Sequence, residues 1–400
     1  MAQRRLDDVG VAVRNRRARF AVAALFLTNG ALFANLLPRY PEIKTDLALS
    51  NAHYGLAIAA FSGGALVAGP AAAALIRRFR SSRVAVASSI GIAVFILVAA
   101  LAPSAVALAS ALFVAGAADS VIDVAQNAHA LRLQRNYGRS IINSLHAVWS
   151  AGAVLGGAMG AAAIALDIPR TTHLAVSAAL FSAVVLAAYP FLLRGPDEHG
   201  HPSAGATTVG RPGFAVSATL VALVFIAIAG AVVEDAASSW ATVYLRDGLG
   251  APGALAASGY IAMVASQFVG RMIGDRLVDR FGERAVARAG GLVTAAGMGL
   301  ALAFPSIPGT IAGFAAAGFG VATLVPAAMH GADQLPGLRQ GTGLTAVTWL
   351  MRIGFVSSPP VVGVIADATS LRVGLLVVPA AGVAVMLLAI ALTPRRPPSR

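Results

Sequence analysis

The stretch "AVALASALFVAGAADSVIDVAQNAHAL", residues 105–131, is mostly apolar but carries two aspartates, an asparagine and a histidine in its second half. A helix needs about 20 predominantly apolar residues to cross the hydrocarbon core of a bilayer. This run is long enough to cross, and Asp119, Asp123, Asn127 and His129 lie within it. It therefore predicts a membrane-spanning helix that carries polar groups for a functional reason.

Runs of the same kind recur along the whole chain, separated by charged gaps or by gaps rich in proline and glycine. The chain is 58% hydrophobic and only 12% charged, with a mean hydropathy of +0.77, whereas a soluble domain has roughly 25% charged residues. We predict an all-α integral membrane protein with twelve transmembrane helices. The predicted spans are 18–37, 52–76, 84–102, 105–131, 140–166, 173–193, 214–240, 252–274, 285–304, 308–331, 341–366 and 371–393.

The basic residues test this count. With the N-terminus placed inside, 23 of the 30 lysines and arginines fall in predicted cytoplasmic segments and 5 in predicted outer segments. Such a bias follows the positive-inside rule for an even number of spans. The net charge of +13 therefore indicates orientation in the cytoplasmic membrane, with both termini cytoplasmic, and nucleic-acid binding is not expected.

The longest polar stretch after the N-terminal tail is "RGPDEHGHPSAGATTVGRP", residues 194–212. Its composition is typical of a flexible linker, and "AAALIRRFRSSRV" (72–84) aligns with "GDRLVDRFGERAV" (274–286) at an offset of 202 residues. Weak similarity between halves is expected of transporters built from repeats. We predict a basic tail (1–17), a six-helix half (18–193), the linker (194–212), a second, pseudo-symmetric six-helix half (213–393) and a tail (394–400).

The fourth predicted helix presents an acidic face. Asp119, Asp123 and Asn127 recur every four residues and therefore share one side of the helix. A carboxylate at mid-bilayer costs roughly 2.5–3.5 kcal/mol on insertion scales, so it normally faces protein or water. We expect these groups to line a cavity; the alternative is that they only hydrogen-bond neighbouring helices. His129 lies off this face, near the predicted cytoplasmic end, and is expected to be a wetted helix end.

The fifth helix brings further polar groups to the same depths, because it forms an antiparallel hairpin with the fourth. Asn143, His146 and Trp149 then lie level with the acidic face. An aspartate and a histidine in one polar pocket are suited to accept and release protons. We predict proton coupling through Asp123 first, with Asp119 and His146 assisting.

Other polar or aromatic residues within the spans are candidates for substrate contact. Amides can bind hydroxylated solutes without fixing a charge, and an arginine at mid-helix needs an anionic partner. Glu234 is expected in the outer third of the bilayer, with a solvated helix end as the alternative. The predicted substrate-binding residues are Asn29, Asn35, Asn127, Asn143, Trp149, Glu234, Gln267, Trp349 and Arg352.

Three smaller patterns predict packing and movement. Gly30, and the glycines at 152, 156 and 160, predict close helix approach. Two prolines in "SSPP" (357–360) predict a kink. Arg271, Asp275 and Asp279 recur every four residues and, with Arg280, are predicted to form a cytoplasmic charge lock; the alternative is a solvated helix end.

The stretch "GRMIGDRLVDRFGER", 270–284, resembles the signature loop of the major facilitator superfamily, with Asp279, Arg280, Gly282 and Arg284 at matching places. In the first-half copy Arg80 stands where Gly282 would be. "NLLPRYPEIKTDLALSNAHYGLAIAAFSGGALVAGP" (35–70), "DVAQNAHA" (123–130) and "EDAASSWATVYLRD" (234–247) are more narrowly similar to a prokaryotic branch related to fucose permeases.

The resemblance implies a secondary transporter that works by alternating access. We expect it to move a small, polar, sugar-like solute, coupled to protons, as a monomer and without a cofactor or metal. Proton-coupled efflux of amphipathic compounds is the alternative, although the glycine-proline signature of the family's antiporters is missing from the fifth helix. Because Ser–His, HExxH and P-loop patterns are missing as well, we do not expect an enzyme.

Overall fold

The protein consists of helices joined by short turns and loops in the part of the chain that the structure, a computed structural model, describes: residues 2–137, 141–193, 195, 214–336, 338 and 342–392. Within these residues, twelve helical spans are long and apolar enough to cross a membrane, as predicted. They are Val13–Asp46, Asn51–Phe79, Ser81–Ala100, Ala105–Tyr137, Ser144–Ala165, Arg170–Phe191, Val216–Gly248, Gly253–Phe281, Glu283–Ala303, Ile307–Asp333, Thr342–Ala368 and Leu371–Ala391.

Several spans differ in detail from the prediction. The first helix runs from Ala2 to Leu36, so the predicted basic tail is helical and continuous with the first span. The tenth span consists of two helices, Ile307–Val321 and Leu324–Asp333. The seventh helix, Phe214–Val243, continues as a π-helical turn, Tyr244–Gly248.

The eleventh span is interrupted before the two prolines, and the kink expected at the prolines stays a prediction. Its two helices are Thr342–Leu350 and Arg352–Ala368, and the second contains both Pro359 and Pro360. Gly354 N–H donates to Met351 O, three residues earlier, at 2.9 Å. A regular α-helix bonds to the fourth preceding residue, so this bond marks a turn. The interruption therefore lies at Met351, about two turns before the prolines.

The chain forms two compact units. The first unit comprises Met1–Arg39 and Ala60–Gly200, and the second comprises Tyr40–Ala59 and His201–Arg400. The units thus differ from the two predicted halves in one segment, 40–59, which groups with the second. The predicted linker, apart from Gly195, and the predicted tail at 394–400 lie outside the described residues.

In the first unit, glycines bring the first and fifth spans into close contact. A Cβ atom added at Gly30 would lie 2.1 Å from Trp149 O, and one at Gly152 would lie 2.2 Å from Leu27 O. Gly156 meets Ala31 O in the same way, at 2.3 Å. Since a side chain cannot fit at these distances, the predicted close approach is confirmed.

In the second unit, the segment Tyr40–Ala59 is bound by the eleventh and seventh spans. Asp367 accepts hydrogen bonds from the backbone N–H groups of Asn51 and Ala52 at 2.9 and 2.8 Å. The Tyr54 hydroxyl donates to Ser239 O at 2.7 Å. A carboxylate at the start of a helix satisfies free N–H groups and favours the helix dipole, so Asp367 caps the second span.

Candidate functional site

Asn29 is the centre of a polar cluster in the first unit. Its Nδ2 donates to Asp119 Oδ1 at 2.9 Å, and its Oδ1 accepts from Trp149 Nε1 at 2.7 Å and from Gln126 Nε2 at 3.4 Å. Asn29 and Gln126 are buried, whereas Asp119 and Trp149 are half-buried. We call Asn29, Asp119, Gln126 and Trp149 the Asn29 cluster.

The local sequence explains why these four side chains meet. Gly30 and Gly152 allow the first and fifth spans to approach at backbone distance, which brings Asn29 beside Trp149. Gln126 lies seven residues, about two helical turns, after Asp119 and so shares its face. The sequence prediction missed Gln126, although this spacing was a usable signal.

Asp123 lies one turn from Asp119 and is exposed. Asn127 Nδ2 donates to Asp123 Oδ1 at 3.0 Å and to its backbone oxygen at 2.8 Å. Within a span of mean hydropathy 1.9, an exposed carboxylate is stable only where water or protein groups reach it. The acidic face is therefore hydrogen-bonded at Asp119 and accessible at Asp123.

His146 is exposed, and its ring packs edge to face against Phe26 with 5.3 Å between ring centroids. It lies on the fifth span one turn before Ser150, whose hydroxyl donates to His146 O at 3.2 Å. Asn143 lies in the same helix, and its side chain is outside the described residues. The fifth span thus contributes an accessible imidazole and the Trp149 indole.

Asn35 lies away from the Asn29 cluster and is fully buried. Its Nδ2 donates to Ala31 O at 2.8 Å, and its Oδ1 is 2.9 Å from His173 Nε2. Both ends of the amide are therefore used within the protein. This arrangement favours a structural link between the first and sixth spans over the predicted substrate contact.

Glu234 is the centre of a second cluster, in the second unit. Gln267 Nε2 donates to Glu234 Oε2 at 3.0 Å, and Arg271 Nη2 lies 3.9 Å from the same oxygen. Gln267 is buried, and the side chains of Glu234 and Arg271 are 26% and 40% exposed. We call these three residues the Glu234 cluster.

The Glu234 cluster corrects the depths predicted for two of its members. The seventh span extends fourteen residues past Glu234 to Gly248, about 21 Å of helix, so Glu234 does not lie near a span end. Arg271 lies ten residues before Phe281, the last residue of the eighth span. It therefore pairs with Glu234 deep in the span, apart from the predicted charge lock.

The remaining members of the predicted lock are at the end of the eighth span. Asp275, Asp279 and Arg280 are exposed, and the Arg280 guanidinium lies 5.4 Å from the centre of the Phe281 ring. In the eleventh span Arg352 is half-buried and Trp349 is 54% exposed. Their functional roles remain predictions.

His129 is not a wetted helix end, because its side chain is fully buried. Its Nδ1 lies 2.9 Å from Ser81 Oγ, and its Nε2 accepts from the Leu193 backbone N–H at 3.1 Å. The imidazole therefore joins the start of the third span to the end of the sixth. Sequence position alone did not reveal that the third, fourth and sixth spans meet there.

Family comparisons agree with this architecture. The family model of the Major Facilitator Superfamily matches residues 22–276 and 261–400. The chain is 31% identical over 353 residues to the "Uncharacterized transporter y4wD" of Sinorhizobium fredii, a match that covers 88% of this chain and 92% of that protein. It is 29% identical over 368 residues to the "Membrane protein MosC" of Rhizobium meliloti, with 91% and 88% covered.

Two solved structures share the fold. The nucleoside transporter NupG superposes with a TM-score of 0.72 at 13% identity, over 94% of this chain and 98% of that one. FucP, in an outward conformation, superposes with a TM-score of 0.61 at 19% identity, over 93% and 97%. At these identities the two matches show the fold alone. With twelve spans, a family match along nearly all of its length and these relatives, the chain belongs to the Major Facilitator Superfamily of membrane transporters.

Proposed function

We propose that the protein is a proton-coupled transporter of a small, polar, hydroxylated solute in the cytoplasmic membrane, with both termini cytoplasmic. In this proposal it works as a monomer by alternating access. The observation that supports this proposal most strongly is the acidic face of the fourth span, where an exposed Asp123 lies one turn from Asp119. Such groups are expensive in a bilayer, and in membrane proteins they mark ion and substrate pathways.

Proton exchange is assigned to Asp123. Its carboxylate is exposed, so water can deliver and remove a proton. Asp119, held by Asn29 at 2.9 Å, is on the same face, and like charges four residues apart on a helix are mutually unfavourable. Protonation of Asp123 removes this repulsion, and the exposed His146 assists as a second proton acceptor.

Solute binding is assigned to amide, indole and charged groups. The Asn29 cluster offers amides and an indole N–H, and the Glu234 cluster offers a carboxylate, an amide and a guanidinium. Mixed donors and acceptors of this kind match sugar hydroxyl groups. NupG is described as a nucleoside transporter, and the sequence resembles a branch related to fucose permeases, so nucleosides and deoxyhexoses are the first compounds to test.

The test is accumulation in proteoliposomes under an imposed pH gradient. A panel of hexoses, deoxyhexoses, nucleosides and cationic dyes is offered with the gradient in each direction. Symport predicts uptake of a hydroxylated solute when the outside is acidic. Dye movement only against the proton flow would replace the proposal with efflux, and binding without counterflow exchange would indicate a receptor.

The matched variants are Asp123→Asn and Asp167→Asn. Each substitution removes one carboxylate from the first unit. Asp167 serves as the control because it lies in the turn after the fifth span. Its φ is 53°, a backbone conformation that asparagine also tolerates. We expect Asp123→Asn to lose gradient-driven accumulation and Asp167→Asn to keep it. Full accumulation by Asp123→Asn would refute the proton assignment.

A further inference from the structure

A cavity of about 280 Å³ lies at the turn between the second and third spans, in the first unit. The end of the sixth span forms its other wall. Its lining includes Arg80, Ser82, Arg83, Tyr189, Leu192 and Leu193. None of its described lining residues is acidic, so the two guanidinium groups give the cavity a positive potential.

The walls of this cavity are held by specific hydrogen bonds. The buried His129 joins Ser81, the first residue of the third span, to Leu193 on the opposite wall. Arg132 Nη1 donates to Gly195 O at 3.2 Å and so fixes the rim. The two walls of the cavity are therefore joined through a fully buried imidazole.

Arg80 has a backbone conformation that favours glycine. Its φ and ψ are 75° and 146°, and those of Gly282, the matching residue 202 positions later, are 83° and 154°. The two repeats therefore share one turn, and only the second has the residue that this turn suits. Strained positions of this kind concentrate at binding and catalytic sites, which indicates a use for the Arg80 guanidinium.

The start of the third span adds to the positive potential. Its helix, Ser81–Ala100, begins without a capping hydrogen bond from the Arg80 side chain, and the positive end of its dipole lies beside the lining residues Ser82 and Arg83. Helix N-termini and arginine forks both favour phosphate oxygens. The chemistry of the cavity therefore suits a phosphate group.

Apolar side chains lie beside this cavity on the surface. Tyr189, Phe191 and Phe79 are 39%, 49% and 48% exposed, and all three lie at the ends of spans. A phosphate bound in the cavity would thus adjoin a surface suited to acyl chains. Basic pockets on the cytoplasmic side of membrane proteins bind anionic headgroups, and this turn is on the predicted cytoplasmic side.

We propose that this cavity binds the headgroup phosphate of an anionic phospholipid. Arg80 and Arg83 contact the phosphate, while Tyr189 and Phe191 contact the first part of the acyl chains. The site is separate from the Asn29 cluster and does not depend on the transported solute. Its ligand comes from the bilayer and not from the water phase.

Lipid binding to the full-length purified protein tests this proposal. Native mass spectrometry and thermal unfolding in detergent are followed during titration with phosphatidylglycerol, phosphatidylcholine or soluble glycerol phosphate. The variants are Arg80→Gly, Arg83→Gln and their combination. The control is Arg276→Gln with Arg288→Gln, which removes two exposed arginines on the same predicted side but outside the cavity.

We expect phosphatidylglycerol to stabilise the wild type and the control, and phosphatidylcholine and glycerol phosphate to have much smaller effects. Each cavity substitution should weaken phosphatidylglycerol binding about fivefold. Without lipid, Arg80→Gly should unfold at the same or a higher temperature, because glycine suits the turn. Arg83 lies in a regular helix, so Arg83→Gln tests binding even if Arg80→Gly alters folding.

Three results would overturn the proposal. Equal binding of phosphatidylglycerol to the wild type and the double cavity variant would show that the lipid does not bind in this cavity. Equal loss in the control would show that only the total charge matters. Stabilisation by glycerol phosphate as strong as that by phosphatidylglycerol would show a site for soluble anions and not for lipid.

Discussion

The carboxylates of the two polar clusters have different surroundings in the two units. In the first unit, Asp119 accepts from the Asn29 amide, and a second carboxylate, Asp123, is exposed one turn away. In the second unit, Glu234 accepts from the Gln267 amide and lies 3.9 Å from the Arg271 guanidinium. The contrast suggests that acidic groups exchange protons in the first unit, whereas a paired carboxylate orients solute in the second.

The largest expected effect is on solute affinity after Glu234→Gln. Hydrogen bonds to charged groups contribute about 1.5–3 kcal/mol, so the KM for counterflow should rise about tenfold to hundredfold. Asp123→Asn should leave this KM within about twofold, because counterflow needs no net proton movement. The control is Asp333→Asn, which removes an exposed carboxylate of the tenth span in the same unit. An unchanged KM in Glu234→Gln would contradict the assignment of solute binding to the second unit.

The next effect concerns the helix contact that builds the Asn29 cluster. Gly30→Ala places a methyl group 2.1 Å from Trp149 O, and overpacking of this kind costs about 1–3 kcal/mol. Thermal unfolding should therefore occur several degrees lower, with a loss of uptake. Gly63→Ala, also in a first-unit helix, meets only Phe113 at 3.9 Å and should not lower the unfolding temperature.

The smallest effect is expected for Trp149→Phe. It removes the 2.7 Å hydrogen bond to Asn29 Oδ1 but keeps an aromatic ring, and a neutral hydrogen bond contributes about 1 kcal/mol. The KM for counterflow should rise about fivefold, with the ratio of protons to solute unchanged. A change in that ratio would extend proton coupling to the whole Asn29 cluster.

The sequence predicted the transmembrane spans and some of the residues in the two polar clusters. Apolar run length identified all twelve spans, because a bilayer sets a minimum length that a chain must meet. The four-residue spacing identified the acidic face of the fourth span, and the glycine spacing identified the close approach of Gly152 and Gly156. These features depend on helix geometry alone.

Contacts between spans could not be predicted in the same way. The length of a run does not fix the depth of its residues, so Arg271 was expected at a helix end and is found beside Glu234. His129 was expected in water because it lies near a helix end, but it is buried where the third, fourth and sixth spans meet. Asp367, which caps the second span, lies 316 residues after Asn51, the first residue of that span, and such pairs carry no local signal.

The central claim is that protons pass through the first unit while the second orients the solute. Its most direct test is the number of protons taken up per solute molecule, measured in proteoliposomes with an entrapped pH indicator and labelled solute. We expect the wild type and Glu234→Gln to share one ratio, and Asp123→Asn to move solute without protons. A wild-type ratio in Asp123→Asn, or a loss of proton uptake confined to Glu234→Gln, would contradict the claim.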